Sequence, residues 1–235
     1  MFTTIFYQPI FNALVFLYNT VPDIGIAIIL LTVIIKLALW TLNKKALESQ
    51  KNLSQLQPKI EALKVQYKDD RKLLAEKTME LYKAENINPA SSCLPLLIQL
   101  PFLWAVFKVF QDGLSNRSLA LVYSFIQKPE SINPMAFYGF MDLSKPSIPL
   151  AIAAGAAQFF ATKMLVHTRQ PKISTAKDES MATMINKQMM YTMPILTVVI
   201  GFTLPGGLSL YWFVTTLLTI AQQYFVLKDI QKKSL

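Results

Sequence analysis

The run Gly25-Ile26-Ala27-Ile28-Ile29-Leu30-Leu31-Thr32-Val33-Ile34-Ile35-Lys36-Leu37-Ala38-Leu39-Trp40 is apolar except for one threonine, Thr32, and one lysine, Lys36. With its flanks it covers 24–42, about 28 Å as an α-helix against a hydrocarbon core of ~30 Å. Such a run is too long and too uniformly apolar for the core helix of a small soluble domain. Four more of the same kind occupy 94–110, 147–166, 189–205 and 206–227. Composition points the same way: 235 residues are 53% hydrophobic and only 16% charged, with mean hydropathy +0.36, where soluble domains hold roughly 25% charge. The expected fold is all-α, a polytopic membrane protein with five transmembrane helices, an N-terminal interfacial helix and a cytoplasmic helical hairpin. A conventional soluble enzyme is not expected.

Charge sets the orientation. Ten lysines and arginines lie between the first and second runs, and Arg169, Lys172, Lys177 and Lys187 lie between the third and fourth. Lys228, Lys232 and Lys233 follow the fifth, whereas the opposite side holds only Arg117, Lys128 and Lys145. By the positive-inside rule the richer side is cytoplasmic, the amino terminus outside and the carboxyl terminus inside. This topology accounts for the net charge of +9 without any sequence-specific nucleic-acid binding. Cys93 and His167, each the only one of its kind, leave no internal disulfide and no zinc cluster to expect, and no cofactor is implied.

Four segments follow. Residues 1–20 read as an interfacial amphipathic helix, with Phe2, Phe6, Ile10, Ala13, Leu14 and Leu17 at helical spacing and Thr3, Gln8 and Asn12 elsewhere on the wheel. No basic leader region precedes it, so the start is expected to be mature protein. Residues 21–42 form the first transmembrane helix. Residues 43–88 form the cytoplasmic hairpin: Leu53, Leu56, Ile60, Leu63 and Tyr67 recur at spacings of three and four amid mixed charge, and Pro58 should bend this arm. Lys68-Asp69-Asp70-Arg71 is the expected turn, and the returning arm carries Leu74, Leu81 and Tyr82 until Asn88-Pro89 stops it. Residues 89–235 hold transmembrane helices two to five and a short cytoplasmic tail, with Pro205-Gly206-Gly207 reversing the chain between the last two.

Lys36 is the residue that asks for an explanation. A lysine at the centre of a spanning helix costs about 2.5–3.5 kcal/mol on insertion scales. Snorkelling to the interface is one way to offset this. A second is a polar cavity shared with other helices. Thr32 lies one turn from Lys36, Gln99 interrupts the second run, and Gln158 shares a face with Gly155 and Thr162. Trp212, Thr215, Thr219 and Gln222 form a stripe in the last run at spacings of three, four and three. Taken singly these side chains read as ordinary interhelical hydrogen bonds; taken together they favour the shared cavity. No Asp or Glu falls inside the runs, and no phosphate-binding glycine loop or Ser/His/Asp set is present, which disfavours ion-coupled transport, nucleotide-driven pumping and hydrolysis.

These residues resemble the YidC/Oxa/Alb membrane-protein insertases over nearly the whole chain. The motifs are Tyr7-Gln8-Pro9-Ile10-Phe11-Asn12, the 25–40 run with its cation, Leu56-Gln57-Pro58-Lys59-Ile60, Leu81-Tyr82-Lys83 and Asn88-Pro89. They continue through Cys93-Leu94-Pro95-Leu96-Leu97-Ile98-Gln99-Leu100-Pro101-Phe102, Asp142-Leu143-Ser144-Lys145-Pro146, Met193-Pro194 and Pro205-Gly206-Gly207-Leu208-Ser209-Leu210-Tyr211-Trp212. The family usually has arginine where Lys36 stands. The resemblance implies a non-enzymatic insertase and chaperone of the bacterial plasma (inner) membrane. Nascent membrane proteins would enter a hydrophilic groove lined by Lys36, Thr32, Gln99, Gln158, Trp212 and Thr215 and leave past Leu103 and Ile200 into the lipid bilayer. Val226 is expected to face outward, away from that path. Leu56, Pro58 and Ile60 mark the hairpin as a receiving element. A ribosome is an implied partner, though not through the short basic tail, and a Sec translocon is compatible. An anion channel and a non-conducting assembly scaffold are the alternatives from other classes.

Overall fold

The computed structural model describes residues 3–68, 70–88, 94–111, 119–167 and 181–233. Phe2, Asp69, Pro89, Cys93, Arg117, Arg169, Lys172 and Lys177, used above, lie outside them. The chain opens with a π-helical turn, Thr3–Tyr7, and α1, Gln8–Thr20. It continues with α2 (Ile24–Ala38), α3 (Trp40–Gln55), α4 (Gln57–Gln66), α5 (Arg71–Ala84) and α6 (Leu94–Gln111). A two-residue antiparallel ladder, β1 (Met135–Ala136) and β2 (Met141–Asp142), precedes α7 (Ile148–His167), α8 (Met181–Gly201) and α9 (Gly206–Lys233). The architecture is therefore helical, as the sequence leads one to expect.

Asp23 starts α2 with an extended backbone and a carboxylate that accepts from the Ile26 amide at 3.0 Å. The helix ends sooner than its hydropathy predicts: at Leu39 the chain turns by 65° between α2 and α3. Residues 24–42 are thus two helices meeting at a corner. Among the described residues, Gly206–Lys228 alone is long and apolar enough to cross a bilayer, and the bent α2–α3 pair meets the same test jointly. Gln99–Val109, Ile148–Met164 and Met190–Gly201 are shorter apolar helical stretches.

Helix α9 is the hub, packed on α7 and α2 and also touching α6 and α3. Helix α8 packs mainly on α7, across a seam of small residues. A Cβ on Gly201 would stand 2.6 Å from Ala151 Cβ, and one on Gly155 would stand 2.3 Å from Val198 Cγ2. Only glycine lets the two backbones come that close.

One end of the bundle is closed by the segment 119–147, here called the loop end. Gly206 and Gly207 donate their amides to the carbonyls of Lys145 and Leu143 at 2.8 and 3.0 Å. The reversal between α8 and α9 does not depend on left-handed glycines: among the described residues only Gly139 has positive φ for a glycine. Gly206 matters because a Cβ would lie 3.0 Å from Lys145 O. Helix α1 is tied to the same segment. Gln8 Nε2 donates to Leu121 O (3.2 Å), Asn12 Nδ2 to Leu121 O (3.0 Å) and to Gln8 O (2.8 Å), and Asn12 Oδ1 accepts from the Tyr123 amide (2.7 Å). Asn12, read from the helical wheel as lying off the apolar face, is 2% exposed, inside the face made by Ile10, Phe11, Leu14 and Val15.

The charged arms lie at the other end. Helices α3 and α4 break at Leu56, with Pro58 in the first turn of α4, where its missing amide costs nothing. Asp70 caps α5 through the Leu73 amide at 2.9 Å. The returning arm stops at Ala84, four residues before Asn88, with Asn86 in the left-handed region at φ 54°. Lys59 bridges to Glu85 across the arms. Burial pushes the Lys64 ammonium below, and the Tyr82 phenol above, their ordinary values. Even so, α5 has no buried residue.

Candidate functional site

The polar side chains read from the sequence converge on α9, in pairs. Lys36 on α2 donates from Nζ to Thr219 Oγ1 at 2.8 Å, and Thr219 in turn donates to Thr215 O at 2.8 Å. Gln99 on α6 donates to the hydroxyl of Tyr211, which also touches Thr215. Gln158 on α7 accepts from Thr216 Oγ1 at 3.4 Å. Gln222, buried, donates to Trp40 O at 3.0 Å, bonding α9 to α3 just past the corner at Leu39. One helix thereby gives a polar partner to each of four neighbours, α2, α3, α6 and α7, since residues three and four apart share a face while the intervening ones turn to the next.

Thr32 is buried, but its hydroxyl bonds back to Ile28 O at 2.6 Å and is satisfied within its own helix. Trp212 is half-buried and its carbonyl accepts from Thr216. Leu103 and Ile200 are half-buried on α6 and α8. Leu56 and Ile60 are covered and Pro58 partly so; the exposed apolar side chains of the arms are Val65 and Met79. Val226 does not face outward, being 2% exposed. A helix of 28 residues wrapped by neighbours buries positions that hydropathy alone cannot tell from lipid-facing ones. Three partners were not singled out beforehand: Tyr211, Thr216 and Asn12. Tyr211 and Thr216 each adjoin a stripe member, so extending the stripe by one residue on either side would have found them.

Lys36 is partly exposed, and among the described residues no carboxylate pairs with it. Beside it is a cavity of about 80 Å³ between α2–α3 and α9, lined by Val33, Leu37, Trp40, Leu218, Gln222 and Phe225 among others. That is room for water, with Lys36 and Gln222 the polar side chains of an otherwise apolar lining. The cation therefore stands at the corner between an apolar helix and the charged arms, with one hydroxyl acceptor and donor capacity to spare.

Such a helical bundle, with a cation held against the polar face of its hub helix, is that of a membrane protein. The chain belongs to the 60Kd inner membrane protein family, whose model matches residues 16–233, the YidC/Oxa/Alb group that its motifs resemble. It is 34% identical over 219 residues to the membrane protein insertase YidC of Fusobacterium nucleatum, covering 92% of this chain and 93% of that protein. It is 33% identical over 222 residues to the protein of the same name from Rickettsia bellii, covering 94% of this chain but only 38% of the relative. A crystal structure described as an active YidC insertase with the first transmembrane domain resolved matches 95% of this chain and 46% of its own length. The TM-score is 0.59 at 28% identity.

Proposed function

We propose that this protein is an insertase and chaperone of the bacterial inner membrane. It takes nascent polypeptides from the cytoplasm into a hydrophilic groove beside Lys36 and releases them sideways into lipid, with no bond made or broken. Helices α2, α6, α7, α8 and α9 are the five crossings, the loop end is outside, the arms and the carboxyl terminus are cytoplasmic, and α1 lies in the outer interface. The observation that carries the reading is Lys36: a cation without a carboxylate, beside a cavity with room for water, at the corner where the chain leaves the apolar layer. Water there shortens the apolar distance that a client's polar terminus must cross. The client's apolar segment supplies the drive, roughly 25 cal/mol per Å² removed from water. Ribosomes, and in some cells a Sec translocon, deliver the clients.

The test is reconstitution. Vesicles holding only this protein are expected to protect the translocated tail of a single-span client from protease. No protection, or a gated anion conductance in its place, overturns the reading.

Two further outcomes follow from the same reading. Photo-crosslinkers at Leu103 and Ile200 are expected to capture a stalled client several-fold better than one at Leu217, 44% exposed on α9. Equal capture at all three removes the defined exit. Hydrogen exchange in nanodiscs is expected to be at least tenfold faster in α4 and α5 than in α7 and α9, because α5 buries no side chain. Equal protection would make the arms part of the rigid body and not a mobile receiver.

A further inference from the structure

The tip of the β1–β2 hairpin has a conformation that its side chains do not favour. Phe137, Tyr138 and Gly139 are consecutive left-handed residues, at φ 53°, 58° and 93°. Bulky aromatic side chains avoid that region unless the surroundings impose it. Here the surroundings do. The Tyr138 amide donates to Asp23 Oδ2 at 2.8 Å, the Leu143 amide closes the hairpin on Pro134 O at 3.0 Å, and the Phe137 ring lies against Gly25. A Cβ on Gly25 would stand 2.7 Å from Ala136 Cβ, so that position is kept open for the hairpin.

The result is to turn two aromatic side chains outward. Tyr138 and Phe140 are 92% and 84% exposed, and Phe125 in the same loop segment is 81% exposed; no other large apolar side chains among the described residues are so bare. Their height is fixed by Asp23, which caps α2 where the apolar run begins and at the same time holds the Tyr138 backbone. The tip is therefore held level with the first turn of α2, where the apolar run begins. From Ser131 to Met141 the chain carries no charged residue, and the next two charges, Asp142 and Lys145, pair with each other at 3.0 Å.

We propose that this hairpin tip is a lipid anchor, with Tyr138 and Phe140 seated at the headgroup and acyl-chain boundary of the leaflet at the loop end. The occupant is phospholipid, because exposed, uncharged aromatic side chains held beside the start of the apolar run of α2 suit the interface. The strained backbone is what aims them. The inference rests on the crossing of the bilayer by α2 proposed above.

The experiment uses the full chain in phospholipid nanodiscs, with Cys93→Ser and a single environment-sensitive fluorophore on cysteine at position 125, 138 or 140. Cysteine at Lys128 and at Ile34 provides the references. Lipids carrying a spin label near the headgroup are expected to quench the three aromatic sites at least twofold more than the Lys128 site, and aqueous iodide is expected to do the reverse. Iodide quenching at 138 and 140 equal to that at 128, or shielding from both quenchers as in a protein contact, overturns the anchor. The Ile34 site separates the two readings: lipid quenching there with none at the tip sinks only the anchor, and no lipid quenching at Ile34 sinks the crossing itself. To exclude attraction by the fluorophore, it is moved to Met135 and combined with Tyr138→Ser and Phe140→Ser. Lipid quenching is then expected to fall at least twofold, and an unchanged signal overturns the proposal.

Discussion

Lys36→Glu is expected to abolish insertion of clients whose translocated tails are acidic, with Lys36→Ala losing tenfold or more and Lys36→Arg close to the parent. A carboxylate 4 Å from the ammonium gains about 4 kcal/mol at an effective dielectric near 20. Retaining a third of that is a factor of about ten in occupancy. Alanine removes the attraction and leaves Thr219 without its donor; glutamate adds repulsion of similar size; arginine keeps the charge and gains a forked donor. The measurement is insertion efficiency for one client with neutral or acidic tails, compared across the variants at equal abundance. A loss that is the same for both tails rejects electrostatic recruitment and leaves Lys36 only a role in hydrating the groove. Full activity of the alanine variant with both tails means the side chain merely snorkels.

Asn12→Leu is expected to cost about 2–4 kcal/mol of stability. The side chain is fully buried and makes three hydrogen bonds, and its loss leaves the Tyr123 amide without its acceptor. A buried polar group stripped of its partner costs about 1–3 kcal/mol, with the other lost bonds adding to it. For a chain of this size that lowers the melting midpoint by about 5–15 °C. Thermal unfolding in detergent provides the readout. Asn19→Ala, which removes one exposed bond to Gln127 O, is the reference and should shift the midpoint by about 2 °C or less. A shift for Asn12→Leu no larger than that of Asn19→Ala would mean that α1 is held by its apolar face alone.

Much of this was legible in the sequence for identifiable reasons. Apolar runs reveal helices because period and length are local properties, whereas Pro58, read as a bend, and Asp70, read as part of a turn, stand at helix starts. The stripe from Trp212 to Gln222 pointed to α9 as a polar helix, since spacings of three and four put its members on one face. Partner choice was not legible. Nothing near Asn12 in the sequence announces Leu121 or Tyr123, and a helical wheel places a polar residue outward by default. The corner at Leu39 has neither proline nor glycine to mark it, so local propensity carries the helix straight through. What stands there is a tertiary contact, the Gln222 amide on the Trp40 carbonyl. The left-handed Phe137 and Tyr138 escape prediction because turn statistics reserve such backbone for glycine and asparagine.

The clasp between α1 and the loop end also puts a clock into biosynthesis. Helix α1 presents Gln8 and Asn12, whose acceptors and donor on Leu121 and Tyr123 lie 109 to 113 residues downstream. At bacterial elongation speeds of about 5–20 residues per second, that is a delay of roughly 5–20 s. Throughout it, Gln8 and Asn12 lack their partners on the loop end, which water can replace. Helix α1 thus cannot complete its side-chain hydrogen bonds until more than a hundred further residues have been made.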